Sequence, residues 1–176
     1  MTTQPPKGPT QTSVGSGIVK LGLLQYANTP SIKLQGVLSS RTQSQPVTIL
    51  IDSGATGNLI QEAYANKWFH KALKTLKKAF PIMGFQDTSA YRCESYVELK
   101  LTISSIDGRK HNETNRFYLA PIDNFEIILG TDWLKEHNPS INWATNRLYM
   151  TRCPIKCATN PGVILDGASR QQGKQL

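Results

Sequence analysis

The residues best placed to do chemistry are Asp52-Ser53-Gly54-Ala55-Thr56, which follow directly on the apolar run Ile49-Leu50-Ile51. A carboxylate there sits at the end of a buried strand, and Gly54 permits a tight backbone approach beside it. Burial disfavours the charged form of a carboxyl group, and a second carboxylate nearby disfavours it further. Two such groups facing each other share one proton. The ionised member can then take a proton from water while the protonated one activates a carbonyl oxygen. That pairing attacks an amide without a covalent intermediate. Taken alone, Asp-Ser-Gly is also a common turn sequence, because all three residue types suit loops.

The other reactive side chains offer less. Cys93, Cys153 and Cys157 are odd in number and make no disulfide framework, which fits a reducing compartment. Cys153 and Cys157 form a C-x-x-x-C pair with no adjacent His or second Cys pair. Zinc needs four ligands, so neither a metal site nor a cofactor is expected, and the pair reads as part of a solvated tail. His70, His111 and His137 share no spacing with a nucleophile, which leaves a Ser or Cys protease arrangement without support. Asp132 reads as a helix-start residue, and Trp68, Trp133 and Trp143 as core. Asn112-Glu113-Thr114 matches a glycosylation acceptor, which matters only in a secreted protein.

The net charge is +8, and five lysines lie between Lys67 and Lys78. Lys71, Lys74 and Lys78 recur at three- and four-residue spacing, which predicts one wet face of a helix. No zinc knuckle or aromatic–basic interleaving accompanies them, so nucleic acid is not expected as a partner.

Strand signals dominate the elements that must position Asp52. Ile32–Leu38 alternates apolar with polar or small residues, as a half-buried strand does. Val47–Ile51 is nearly continuous and β-branched, predicting a strand buried on both faces. Tyr96–Ile103 alternates cleanly, Asp107-Gly108 marks a turn, and Arg116–Leu119 returns as the second strand of a hairpin. Phe125–Leu129 is a second buried run and Leu148–Met150 a late strand. Two helices are predicted. One starts after an Asn58 N-cap and carries Ile60, Ala63, Tyr64 and Trp68 on one face. The other covers Asp132–His137 and stops before Pro139. An apolar strand, a glycine turn and a helix thus occur twice, about Gly54 and about Gly130. Residues 1–17 and 158–176 are polar and read as a flexible leader and a flexible tail, leaving 18–157 as the folded body.

The Asp52 pentad with its apolar lead-in resembles the active-site motif of retropepsins. Ile127-Ile128-Leu129-Gly130-Thr131-Asp132-Trp133-Leu134, followed by His137-Asn138-Pro139-Ser140-Ile141-Asn142-Trp143, looks like the C-terminal half of proteases from gypsy-type LTR-retrotransposon Gag-Pol polyproteins. The similarity covers roughly residues 30 to 150. It implies an all-β fold: a small closed-barrel protomer with one or two short helices, active as a C2 homodimer. It implies that Asp52 is the catalytic carboxylate, and that the Ser53 hydroxyl helps tie two active-site loops together across the dimer axis. Gly54 and Ala55 would line the floor beside the substrate backbone, and Thr56 would hydrogen-bond locally. Phe80–Gln86 occupies the place of the flap, a hairpin that closes over bound peptide. Gly84 would lie near its tip, with Ile82, Met83 and Phe85 touching substrate.

A paired-carboxylate mechanism needs two aspartates, and the chain has one full pentad. The stretch Val163–Ser169 echoes it faintly around Asp166, but lacks the Ser or Thr between Asp and Gly and has too little chain after it for a second lobe. A homodimer is the simpler solution, and the segments near Ile18–Tyr26 and Leu148–Met150 are candidate interfaces. The expected activity is endoproteolysis of extended segments of its own polyprotein. A catalytically silent retropepsin-like module for dimerisation or peptide binding is the alternative. No apolar run approaches the ~20 residues of a membrane span, so no membrane is expected, and the location is expected to be cytoplasmic, within virus-like particles.

Overall fold

A computed structural model describes residues 19–21, 32–84 and 90–167. The chain runs β1 (Val19–Leu21), β2 (Ile32–Ser39), β3 (Ser44–Ile51), β4 (Leu59–Gln61), α1 (Glu62–Trp68) and a 3₁₀ turn at His70–Ala72. There follow β5 (Leu73–Gly84), β6 (Tyr91–Ser104), β7 (Lys110–Ala120), β8 (Ile127–Leu129) and α2 (Thr131–His137). The last strands are β9 (Ser140–Asn142), β10 (Arg147–Tyr149), β11 (Ala158–Thr159) and β12 (Ile164–Asp166). The strands hydrogen-bond in the order β6-β2-β3-β8-β4-β7, and β7 pairs back onto β6, closing a six-stranded barrel. Strands β5 and β1 extend one flank, β11 the other, and β12-β10-β9 form a separate small sheet. The expected mostly-β closed barrel with two short helices is what the chain adopts.

Burial follows the strand pattern. Along β3, Ile49 and Ile51 face the larger core with Leu34, Phe117 and Trp133, while Leu50 faces a second cluster with Ala55, Leu59, Ile82 and Ile128. A run that is apolar at every position therefore has a core to meet on each side. The hairpin turn between β6 and β7 is closed by Ser105 N–H to Arg109 O at 2.8 Å, with Gly108 at φ +84°. Only glycine adopts that conformation without penalty, which is why Asp107-Gly108 was legible as a turn.

Four expectations are corrected. The helix predicted from Asn58 begins at Glu62, because Leu59 and Ile60 are spent on β4, which pairs with β7 and β8 and buries both side chains. Asn58 does not cap it; its carbonyl instead accepts Tyr118 N–H at 3.0 Å. The lysine-rich stretch is not a helix face. Lys71 lies in the 3₁₀ turn, whereas Lys74 and Lys78 lie on β5, which pairs with β6 at Leu73–Thr75 and again at Phe80–Ile82. Tertiary pairing here overrides helical spacing. The folded body also continues past residue 157. Ala158 and Thr159 pair with β7, Ile164–Asp166 pair with β10, and Val163 and Leu165 are fully buried. Finally, Trp143 is 64% exposed on the turn after β9, while Trp133 is fully buried in the core.

The suggested interface segments also change character. Leu148 and Met150 are core residues and Tyr149 is half-buried, on and just after β10, the middle strand of its sheet. Val19–Leu21 pairs in parallel with Ile82–Gly84 of β5; the remainder of 18–26 lies outside the described residues.

Candidate active site

The Asp52 turn is built by two parallel strands laid side by side. Ile49, Leu50 and Ile51 of β3 pair with Ile127, Ile128 and Leu129 of β8. The two strand–turn–helix segments noted in the sequence are therefore neighbours in space. Asp52 N–H donates to Leu129 O at 3.0 Å, Thr131 N–H to Ala55 O at 2.8 Å, and Asp132 N–H to Thr56 O at 3.1 Å. Thr131 Oγ1 adds a hydrogen bond to Thr56 O at 3.2 Å. Gly130 is what allows this approach. A Cβ there would fall 2.4 Å from Gly57 O and 2.6 Å from Ala55 O. The roles expected of Gly130 and Asp132, closing the second turn and starting its helix, fit these contacts.

Within the turn, Gly54 N–H donates to Asp52 Oδ1 at 2.8 Å and Ala55 N–H to Asp52 O at 3.2 Å. One carboxylate oxygen is thus fixed by backbone. The other, Oδ2, is buried, and among the described residues no donor reaches it. A buried acceptor without a partner costs about 1–3 kcal/mol, which marks this oxygen as one with unmet capacity. Ser53 and Gly54 beside it are exposed, Ala55 is fully buried in the second cluster, and Thr56 is half-buried.

The flap position is a hairpin of β5 and β6, with Phe80 opposite Cys93, Pro81 opposite Arg92 and Ile82 opposite Tyr91. Side chains alternate along a strand, and the two nearest the turn diverge accordingly. Met83 is exposed, but Ile82, expected to touch substrate, is 1% exposed and packs in the cluster that holds Ala55. Gly84 ends β5. Phe85 lies outside the described residues.

One constellation was not legible beforehand. His111 and Glu113 on β7, Trp133 and His137 on α2, and Cys157 after β10 converge in the interior. Burial raises the Glu113 carboxyl, but hydrogen bonds from His111, His137 and Trp133 outweigh it and hold the group down at about 2. Burial likewise lowers His137, yet its hydrogen bond and attraction to Glu113 leave it raised. The sequence signals were the i, i+2 spacing of His111 and Glu113 and the i, i+4 spacing of Trp133 and His137, each placing two residues on one face.

A family-level sequence profile for the PEG10/RTL1 protease domain matches residues 48–157, which include the Asp52 turn, both helices and the closing strands. The chain belongs to the PEG10/RTL1 protease-domain family. Among solved structures, the retroviral protease-like domain of Ddi1 from Leishmania major superposes with a TM-score of 0.52 at 13% identity. The alignment covers 82% of this chain and 98% of that one. At that identity the likeness speaks for the fold, which is retroviral-protease-like.

Proposed function

We propose that this protease-family chain is an active aspartic endopeptidase that works as a C2 homodimer and processes a retroelement Gag-Pol polyprotein. The observation that carries the reading is Asp52 itself. Its carboxylate is pinned by Gly54 N–H at one oxygen and unsatisfied by the described residues at the other, beside an exposed Ser53-Gly54 surface. A second Asp52 brought up across a two-fold axis at the exposed Ser53-Gly54 surface would set the two carboxyl groups close together, and two carboxylates at such range cannot both ionise. They would hold one proton between them. The ionised Asp52 draws a proton from water as it attacks the peptide carbonyl, and the protonated one donates to the carbonyl oxygen, stabilising the tetrahedral species.

Ser53 supplies the hydroxyl at the subunit junction, Gly54 and Ala55 the floor, and Thr56 the tie to the second turn. Substrate enters as an extended strand beneath the flap, where Met83, Gly84 and Phe85 are the contact residues of this reading. The pairing of Val19–Leu21 with β5 supports strand addition, since that edge already accepts an extended segment of the chain itself. The partners are then a second copy and unfolded linkers of its own polyprotein, in the cytoplasm within virus-like particles. Nucleic acid and membrane are not partners in this reading. The competing reading, a silent peptide-binding module, leaves the retained Asp52-Ser53-Gly54 unexplained.

Incubation of the purified protein with its flanking polyprotein, with and without pepstatin, tests the proposal. Asp52→Asn is expected to lower cleavage by at least ~10³-fold with circular dichroism unchanged. An Asp52→Asn protein that still cleaves would exclude the mechanism.

A further inference from the structure

The interior constellation around Glu113 has the geometry of a metal centre. Its four ligand atoms, one each from His111, Glu113, His137 and Cys157, all lie within 4.8 Å of one another. His137 Nε2 is 3.1 Å from Glu113 Oε2 and 3.3 Å from Cys157 Sγ, and His111 Nε2 is 3.3 Å from Glu113 Oε1. Ligands at tetrahedral zinc, bound at about 2.0–2.3 Å, stand roughly 3.2–3.8 Å apart. His111 Nε2 to Glu113 Oε1 and His137 Nε2 to Cys157 Sγ, both 3.3 Å, fall in that range, and the set as a whole stays within 4.8 Å.

The outer contacts decide which nitrogens face inward. His137 Nδ1 is 2.9 Å from Trp133 O, a carbonyl that can only accept, so Nδ1 carries the proton. In the neutral ring, Nε2 is then a bare lone pair pointing at a carboxylate oxygen. His111 Nδ1 is held at 2.6 Å from Thr159 Oγ1, again turning Nε2 to the centre. Trp133 Nε1–H donates to Glu113 Oε1 at 2.6 Å and fixes the carboxylate. An imidazole oriented through Nδ1 by a carbonyl acceptor, a second held at Nδ1 by a hydroxyl, and a carboxylate braced by a donor make the kind of outer shell a metal ligand set requires. Protons on the two Nε2 atoms would serve Glu113; a metal would gather Cys157 Sγ as well, which lies 3.3 Å from His137 Nε2.

We propose that His111 Nε2, His137 Nε2, Cys157 Sγ and a Glu113 carboxylate oxygen form a structural Zn²⁺ site. The mixed imidazole, thiolate and carboxylate set suits zinc. Four protein ligands leave no position for substrate, so the ion would staple rather than catalyse. It would clamp the segment after β10 to β7 and α2, joining residues far apart in sequence. Cys153 is not a ligand in this arrangement: its Sγ lies 3.7 Å from His111 Nδ1, on the side of the ring turned away from the centre. A C-x-x-x-C pair thus contributes one ligand, the rest arriving from β7 and α2.

The site does not depend on the protease reading. The full chain purified without chelator is expected to hold about one zinc per chain by elemental analysis. Replacement by cobalt should give a near-ultraviolet thiolate-to-metal charge-transfer band. Cys157→Ser should lose that band and most of the metal, while Cys153→Ser and Asp52→Asn keep both. Chelation of the wild-type chain should lower its melting temperature and added zinc restore it, a readout that needs no variant to fold. Wild-type protein that takes up neither zinc nor cobalt, with a melting temperature unmoved by chelator, would overturn the proposal. So would metal retained in Cys157→Ser but lost in Cys153→Ser.

Discussion

Asp52 and Glu113 are both carboxylates on or beside strands of one barrel, yet the chain treats them in opposite ways. Glu113 is buried and its oxygens are met by Trp133 Nε1–H and the two imidazoles of His111 and His137. Asp52 sits half-buried at the end of β3 with one oxygen held by backbone and the other unmet by the described residues. Folding alone would favour satisfying both, since buried polar atoms are nearly always hydrogen-bonded. A carboxylate surrounded by side-chain partners reads as a fixed part of the interior. One left short of a partner beside an exposed surface reads as awaiting something from outside the chain. Burial by itself would rank Glu113 first; the unmet oxygen is what singles out Asp52.

The difference can be broken or sharpened by substitution. The largest effect on stability is expected at Glu113. Glu113→Ala leaves His137 buried without its counter-charge and should cost about 3–5 kcal/mol in urea denaturation. Asp52→Asn should stay within ~0.5 kcal/mol of wild type in the same assay, because Gly54 N–H can donate to the amide oxygen as well. Equal losses at the two positions would erase the contrast. Next comes Gly130→Ala, whose Cβ collides with the Gly57 and Ala55 carbonyls. It is expected to cost about 1–3 kcal/mol and to lower cleavage as well, since the displaced loop carries Asp52. A smaller effect than at Glu113 is expected at Trp133→Phe, which removes one donor from Glu113 and shrinks a fully buried ring. A loss of about 1–2 kcal/mol with unchanged cleavage per folded molecule is predicted, measured by denaturation and peptide turnover together.

The barrel was largely readable because its strands carry period-2 or uninterrupted apolar patterns, as in Tyr96–Ile103 and Val47–Ile51. The Asp52 turn was readable because strand, glycine turn and helix stand in sequence order. What escaped was set by contacts between distant segments. Leu59–Gln61 looks helical until β7 and β8 offer it a ladder on either side. Residues 158–167 look like a polar tail until Val163 and Leu165 find the core. Cys157 looked solvated for the same reason, because its neighbours His111, Glu113 and His137 lie 20 or more positions away and meet it only in the folded chain. Ile82 and Met83 show the limit at the residue scale, since the strand fixes which of two adjacent apolar side chains faces out.

The central claim is that each copy of the chain supplies one Asp52 to a shared site. Mixing wild-type and Asp52→Asn protein at a fixed total concentration, after exchange of subunits, tests it most directly. If both carboxylates are required in a two-fold dimer, an equal mixture should retain about a quarter of the wild-type cleavage rate, since only that share of randomly assembled pairs carries two aspartates. Activity that falls in simple proportion, to about half, would mean that one copy suffices and would contradict the account.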